Sequence, residues 1–277
     1  MTTLSKTQLA DLYSVKKLST WEIEKQYGYS RSRVYSSLKR YGIPVRSLAA
    51  SHVKTQRVDF NGTLLEKAYL FGFAVGDLRV RLHNKKGGSE TISIACSSNK
   101  PAQISLINEL FISFGHIWRG KPNQREVVSI EAFVNLSFSF LLGKDWKSFA
   151  KSIKTRKQFL AFLAGFSDAE GSIFISRGMA QMSWGNYDRA LLLFFKKGLA
   201  NLGVITGTVT SDHLQGYRGR DGYVRSRDYY HLSCARKASL EKLLNMLVFF
   251  SRHDDKRCAL VRALANITER NQKYGKR

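Results

Sequence analysis

Polar and apolar positions follow two rhythms along this chain, one near the helical period and one near two. Leu9, Leu12, Tyr13 and Val15 predict a first amphipathic helix. Ser19-Thr20-Trp21-Glu22 has the form of a capping box, so a second helix should open there with Ile23 and Tyr27 facing inward. Gly28 breaks it, and Ser30 is expected to cap a third. Val34, Leu38 and Tyr41 mark the buried stripe of that third helix, which Gly42-Ile43-Pro44 stops. Two short helices joined by a tight glycine-containing turn make a helix-turn-helix layout. Residues 45–62 carry no clear period, which sets the expected boundaries at 1–47 for a helix-turn-helix domain and 48–62 for a linker.

From about residue 64 the pattern repeats. A helix (64–77) precedes alternating runs at 78–83 and 91–97; a helix near 101–115, strands near 116–120 and 126–133, and an apolar helix from about 136 follow. The second pass has a helix (156–170), strands near 172–177 and 180–184, a helix (188–202) and strands near 204–210 and 228–234. Helices near 238–250 and 254–271 complete it. The prediction is therefore an α+β protein: two αββαββα half-domains, 63–152 and 153–277, behind a small all-α domain.

The leading helices of the two passes share a second pattern. Leu70-Phe71-Gly72-Phe73-Ala74-Val75-Gly76-Asp77 and Leu163-Ala164-Gly165-Phe166-Ser167-Asp168-Ala169-Glu170 each place small residues four apart on an apolar helix. Small residues at that spacing let two helix backbones approach closely, on steric grounds alone. A carboxylate follows the second small residue in both, and Asp77 and Glu170 stand 93 positions apart. Pairing the helices would bring the two acids together at their C-terminal ends, where the helix dipoles are also negative. Such a site suits hard divalent cations held by oxygen: Mg²⁺, or another ion such as Mn²⁺, with Ca²⁺ as a binding-only substitute. Divalent ions beside a DNA backbone serve phosphodiester hydrolysis.

Charge sharpens the picture. The 277 residues hold 45 Lys and Arg against 21 Asp and Glu, a net charge of +24. Self-repulsion of that size is destabilising, and its commonest reason is a polyanionic partner whose phosphates the cations neutralise. No basic amphipathic helix, long apolar span or apolar leader is visible, which argues against a membrane role or secretion. Cys96, Cys234 and Cys258 are few, odd in number and far apart, and read as reduced, mostly buried residues of an intracellular protein located with the genome.

Candidate DNA contacts follow from exposed basic positions. The third helix offers Arg31, Arg33, Tyr35 and Lys39 to phosphates and major-groove edges. Arg79 and Arg81 alternate on one strand face, with Arg119, Lys121 and Arg125 nearby. Residues 213–231 interleave Arg218, Arg220, Arg225 and Arg227 with Tyr217, Tyr223, Tyr229 and Tyr230, and Gly216, Gly219 and Gly222 suggest a long hairpin tip. Lys144, and Arg252 or Lys256, after the last strand of each pass, are further basic candidates, either for phosphate contact or for assisting the two acids.

The segment Phe162-Leu-Ala-Gly-Phe-Ser-Asp-Ala-Glu-Gly171 closely resembles the signature of the LAGLIDADG homing endonucleases, departing conservatively at Phe166, Ser167 and Glu170. Residues 70–78 resemble a degenerate copy, with Val75 where the family has an acid and Leu78 where it has glycine. The resemblance covers roughly 64–271. It implies a monomer of two pseudo-symmetric halves, each laying a saddle-shaped antiparallel sheet in the major groove of a long double-stranded DNA site. The signature helices would form the interface, and Asp77 and Glu170 would hold metal and hydrolyse both strands. The helix-turn-helix would be an accessory DNA-binding module. The family's polar group near the end of each second strand is expected at Lys100 in one half and Asn186 in the other. Neither matches the usual pattern well, so a nickase or a cleavage-dead regulator stays open beside the nuclease, as does a maturase that binds intron RNA.

Overall fold

The computed structural model describes residues 4–46, 55, 57–83, 89–219, 222 and 224–275. They fall into two compact units, one built on the N-terminal helices and one beginning at Arg57.

In the N-terminal unit, α1 (Lys6–Ala10) opens at a Ser5–Gln8 capping box and runs into a π-turn, Asp11–Val15. α2 (Thr20–Tyr27) starts at the expected box, with Glu22 N donating to Ser19 Oγ at 3.1 Å and Ser19 N donating to the Glu22 carboxylate at 2.7 Å. Gly28 then adopts φ 74°, a left-handed turn that suits glycine, and α3 (Arg31–Arg40) follows. Leu9, Leu12, Tyr13, Ile23, Val34, Leu38 and Ile43 close a small core of their own. Val15 and Tyr27, expected inside, are exposed. The i→i+5 bonding of the π-turn (Lys16 N to Asp11 O, 2.8 Å) moves Val15 off the 3.6-residue stripe, and Tyr27 lies where Gly28 turns the chain. Ser30 makes no side-chain cap bond; the Glu24 carboxylate accepts from Arg31 N instead, at 3.3 Å.

The second unit is a mixed α+β assembly with two antiparallel four-stranded sheets. Its first half runs α4 (Leu64–Gly76), β1 (Arg79–Leu82), β2 (Thr91–Ser98), α5 (Pro101–Phe111), β3 (His116–Arg119) and β4 (Val128–Asn135), with strand order β1-β2-β4-β3. A 3-10 stretch, Leu136–Lys144, and α6 (Trp146–Ser152) lead to the second half. There α7 (Arg156–Glu170), β5 (Gly171–Ser176), β6 (Met179–Asn186), α8 (Arg189–Asn201), β7 (Thr210–His213) and β8 (Tyr229–Cys234) give the same order, β5-β6-β8-β7. α9 (Lys237–Leu247) and α10 (Asp254–Tyr274) finish the chain.

Each sheet keeps an apolar face inward. Val128, Ile130, Ala132 and Val134 alternate with Ser129, Glu131 and Phe133 on β4, and Met182, Trp184, Leu232 and Cys234 fill the same role in the second sheet. One continuous core runs from α4 through both sheets to α10. Four expectations are corrected in this unit. The segment from Arg57, read as linker, is packed: the Phe60 ring lies 5.3 Å from that of Phe138, and Phe60 N donates to Ser137 Oγ at 2.8 Å. The apolar helix from 136 is a 3-10 stretch broken at Leu142 and at Gly143, whose φ is 71°. The strand expected over 204–210 begins only at Thr210, and the linking backbone is tied by Gly207 N to Ser233 O at 2.8 Å. Among the cysteines, Cys258 is exposed rather than buried. No described helix is long and apolar enough to cross a membrane.

Candidate active site

α4 and α7 meet through their small residues. A Cβ placed on Gly72 would overlap the carbonyl oxygen of Phe162 and come within 2.9 Å of Phe166 N. A Cβ on Gly165 would overlap the carbonyl oxygen of Tyr69 and come within 2.9 Å of Phe73 N. The contacts are reciprocal, and every pair is related by the same offset of 93 that separates the two acids. Backbone therefore lies on backbone, a separation that no side chain at these positions allows.

The helices end together. A Cβ on Gly76 would come within 3.0 Å of the Glu170 Cγ, and Asp77 is the next residue, capping α4. Asp77 Oδ2 accepts from Gln103 Nε2 at 3.0 Å. Asp77 keeps an open side to solvent, yet the crowd of protein around it pushes its carboxyl above the usual range; the Gln103 bond, Lys256, Lys100 and Lys144 oppose that push. Glu170 is raised further, to about 7, first by burial and then by the Asp77 charge, with Lys256 and Lys144 pulling it down. The difference has a local origin. β2 begins at 91 and β6 at 179, an offset of 88 that sets Gln103 against Leu191. At the corresponding position of the second half stands the buried Leu191, whose side chain has no hydrogen bond to offer.

Two half-buried lysines face the acids. Lys144 follows Gly143 in a left-handed conformation (φ 50°), and burial holds its amine below the usual range while Asp77 and Glu170 pull it up. Lys256 lies on the first turn of α10 and donates to Gly171 O. Burial lowers its amine too, Lys100 adds to that, and Asp168, Asp77 and Glu170 work against it. Lys100 is exposed at the start of α5, and its charge reaches both Asp77 and Lys256. Asn186 is otherwise engaged: its side-chain oxygen accepts from Asp188 N at 2.8 Å, at the cap of α8.

Gln103 escaped the sequence reading, although a signal was present. It occupies an apolar stripe with Leu106, Ile107 and Leu110, where a buried amide needs a partner. Asp168 was missed as well. Only 2% exposed, it accepts from Tyr69 Oη and Ser251 Oγ, each at 2.6 Å, and from Arg252 N and His253 N at 2.7 and 3.1 Å. Its four donors come from segments far apart in the sequence, so only the fold could reveal it.

The basic candidates are placed as follows. Arg31, Arg33, Tyr35 and Lys39 are all exposed on α3; Arg31 pairs with Glu24 at 2.8 Å, and the Lys39 amine lies 4.9 Å from the Tyr35 ring centre. Arg79 and Arg81 share the outer face of the first sheet, where Arg81 approaches Glu131 at 3.3 Å. Arg119 is exposed but stands opposite Ile130, on the other side of the pleat. Arg218 bridges to Val224 in the hairpin after β7. Arg225 donates to Tyr187 Oη at 3.0 Å, and Arg227 lies over the Tyr187 ring. Arg220 lies outside the described residues. Arg252 pairs with Glu66 at 3.6 Å and lies 5.2 Å from the Tyr69 ring centre.

The second unit thus consists of twin helix-led halves joined at a glycine-notched helix pair, with one acid at the end of each helix. Residues 157–248 match the family model described as the LAGLIDADG-like domain. No curated protein matches the chain by sequence. Among solved structures, the chain is similar to I-DmoI in complex with DNA and Mn (18% identity, 69% of this chain and 98% of that one, TM-score 0.46). It is also similar to the N-terminal LAGLIDADG domain of WhiA (16%, 67% and 82%, TM-score 0.43). A mutant of I-SmaMI is a further likeness (12%, 76% and 94%, TM-score 0.45).

Proposed function

We propose that this protein is a site-specific DNA endonuclease that hydrolyses phosphodiester bonds with the help of a divalent cation. The observation that carries the reading is the meeting of Asp77 and Glu170 at the shared end of two interlocked helices, within electrostatic reach of Lys144 and Lys256. Two carboxylates held together against their own repulsion make sense if a cation is to neutralise them. Among the described residues no cluster of three or more His, Cys, Asp or Glu accompanies them. Two hard oxygen donors with room for water and substrate phosphate suit Mg²⁺ or Mn²⁺ better than a closed protein cage. When bound, the ion lowers the pKa of a water and takes up charge on the phosphate oxygens.

The protein's own groups do the rest. Asp77 and Glu170 hold the ion, Gln103 orients Asp77, and the two lysines stabilise the added negative charge on the phosphorus centre. The +24 net charge supports a double-stranded DNA partner, and α3 with its turn supports an accessory DNA-binding module at the N-terminus. The unequal surroundings of the two acids favour unequal rates on the two strands, with a nickase as the extreme case.

The test is a randomised duplex library incubated with the full chain in Mg²⁺ and in EDTA, with the ends mapped. Cutting at one sequence in Mg²⁺ only, lost in Asp77→Asn and Glu170→Gln while gel-shift binding persists, is the expected result. Cleavage retained in both variants rejects the site; binding with no cleavage by the wild type makes the protein a regulator on this scaffold.

A further inference from the structure

The two halves hold their lysines by different means, and the buried carboxylate of Asp168 is the difference. Tyr69 and Phe162 correspond across the helix pair, as do Val75 and Asp168, by the offset of 93 that relates Gly72 to Gly165. On one side of the interface the corresponding residues are therefore Phe162 and Val75, both apolar. On the other, Tyr69 Oη donates to Asp168, which also takes Ser251 Oγ and the main-chain N–H groups of Arg252 and His253. Tyr69, Asp168, Ser251 and His253 are each at least nine-tenths buried. Arg252 then reaches back to Glu66 and stacks on Tyr69, so the staple ties α4 of the first half to the start of α10. Lys256 stands three residues beyond His253, on Gly171 O.

We infer that Asp168 is a positioning residue for Lys256: it fixes the segment 251–253 against the signature helices and so sets the amine beside Glu170 and Asp77. A buried carboxylate with four donors has one geometry, because any displacement of the loop strands charge and N–H groups away from water. Lys144 is placed otherwise: it follows the Gly143–Lys144 turn at φ 71° and 50°, and two residues further on Trp146 Nε1 donates to Asp188 at 2.7 Å. The inference rests on the nuclease reading for its consequence, but not for its geometry. Disturbing Asp168 should weaken the side of the site that Lys256 serves more than the side that Lys144 serves, and hence slow one strand more than the other.

The test uses the full chain carrying Tyr69→Phe with Asp168→Val, which gives this side the apolar pair of the other, and the gentler Asp168→Asn in case the first does not fold. Amide exchange of Arg252 and His253 should speed by roughly tenfold or more, the loss of one charge-assisted hydrogen bond. Exchange around 142–146 should not change, and a crystal structure of the variant should find Lys256 off Gly171 O. On a cleaved duplex, one strand's rate should drop by roughly tenfold, the size set by a lost positioning contact, while the other drops less. Unchanged exchange, uniform loosening of the whole second half, or equal slowing of both strands overturns the inference. If the wild type cuts nothing, the nuclease reading fails alone, and the exchange and crystal arms still decide whether Asp168 holds Lys256.

Discussion

At the scale of single residues, Glu170 titrates in an unusual range for a reason that can be measured. Its carboxyl is raised to about 7 by burial and by Asp77, against an ordinary value of 4.5. A folded-state value above the unfolded one contributes stability that is complete below pH 4.5 and is lost as the pH rises through 7. In EDTA, Glu170→Gln should therefore melt a few degrees above the wild type at pH 8 and level with it near pH 4.5. A variant that melts lower at pH 8 would show that the acid is not desolvated. The same charge that weakens the empty site is what a cation needs, so metal binding by the wild type should weaken as the pH falls below about 7. Gln103 has the complementary role for Asp77. Gln103→Leu, which copies Leu191, should lower metal affinity by about 10- to 100-fold, the usual cost of removing an outer-shell donor, with the melting temperature little changed. Titration calorimetry reads it, and an unchanged affinity would remove Gln103 from the site.

At the scale of elements, the helix pair is the part least open to change. Gly72 and Gly165 each face backbone, which cannot turn aside as the end of a side chain can. Gly72→Ala or Gly165→Ala forces the helices apart and should cost about 3 kcal/mol, the upper end of overpacking in a core. It should also separate the acids, so metal affinity falls with stability. Gly143 offers the contrast: nothing lies within 4 Å of a Cβ there, and φ is 71°. Gly143→Ala should cost only about 1 kcal/mol of backbone strain. Denaturant melts that rank the two alike would mean that α4 and α7 do not meet as described. Much of this level was legible beforehand. The period-3.6 stripes, capping boxes and small-residue spacing are local, and they located α2, α3, α4 and α7 to within a residue or two. The strand expected at 204–210 and the helix expected from 136 were misread because glycines there hand the outcome to distant partners.

At the scale of the whole molecule, charge dominates. An excess of +24 predicts DNA affinity that falls steeply with salt, by roughly 0.9 in logarithmic slope for each phosphate contacted. Replacing Arg31, Arg33 and Lys39 by alanine should lower that slope by up to about 3 if α3 lies on phosphates. Filter binding across a salt series measures it, and an unchanged slope would leave the N-terminal helices without a role in DNA contact. Such charge statements come from composition alone and do not depend on where each side chain lies.

What the sequence determined by itself is whatever rests on neighbours along the chain or on composition: the helix starts, the alternation of strands, the two glycine-bearing helices with their terminal acids, and the charge excess of +24. What only the tertiary structure decided is which remote groups meet those acids. Gln103, Lys144, Lys256 and the Asp168 staple come from four separate elements, and no period or spacing along one chain encodes a contact made across a helix pair. Asn186 shows the local side of the same division, since its amide oxygen accepts from Asp188 N two residues away. Local rules fix the parts; the close approach of two glycine-notched helices fixes which parts act together.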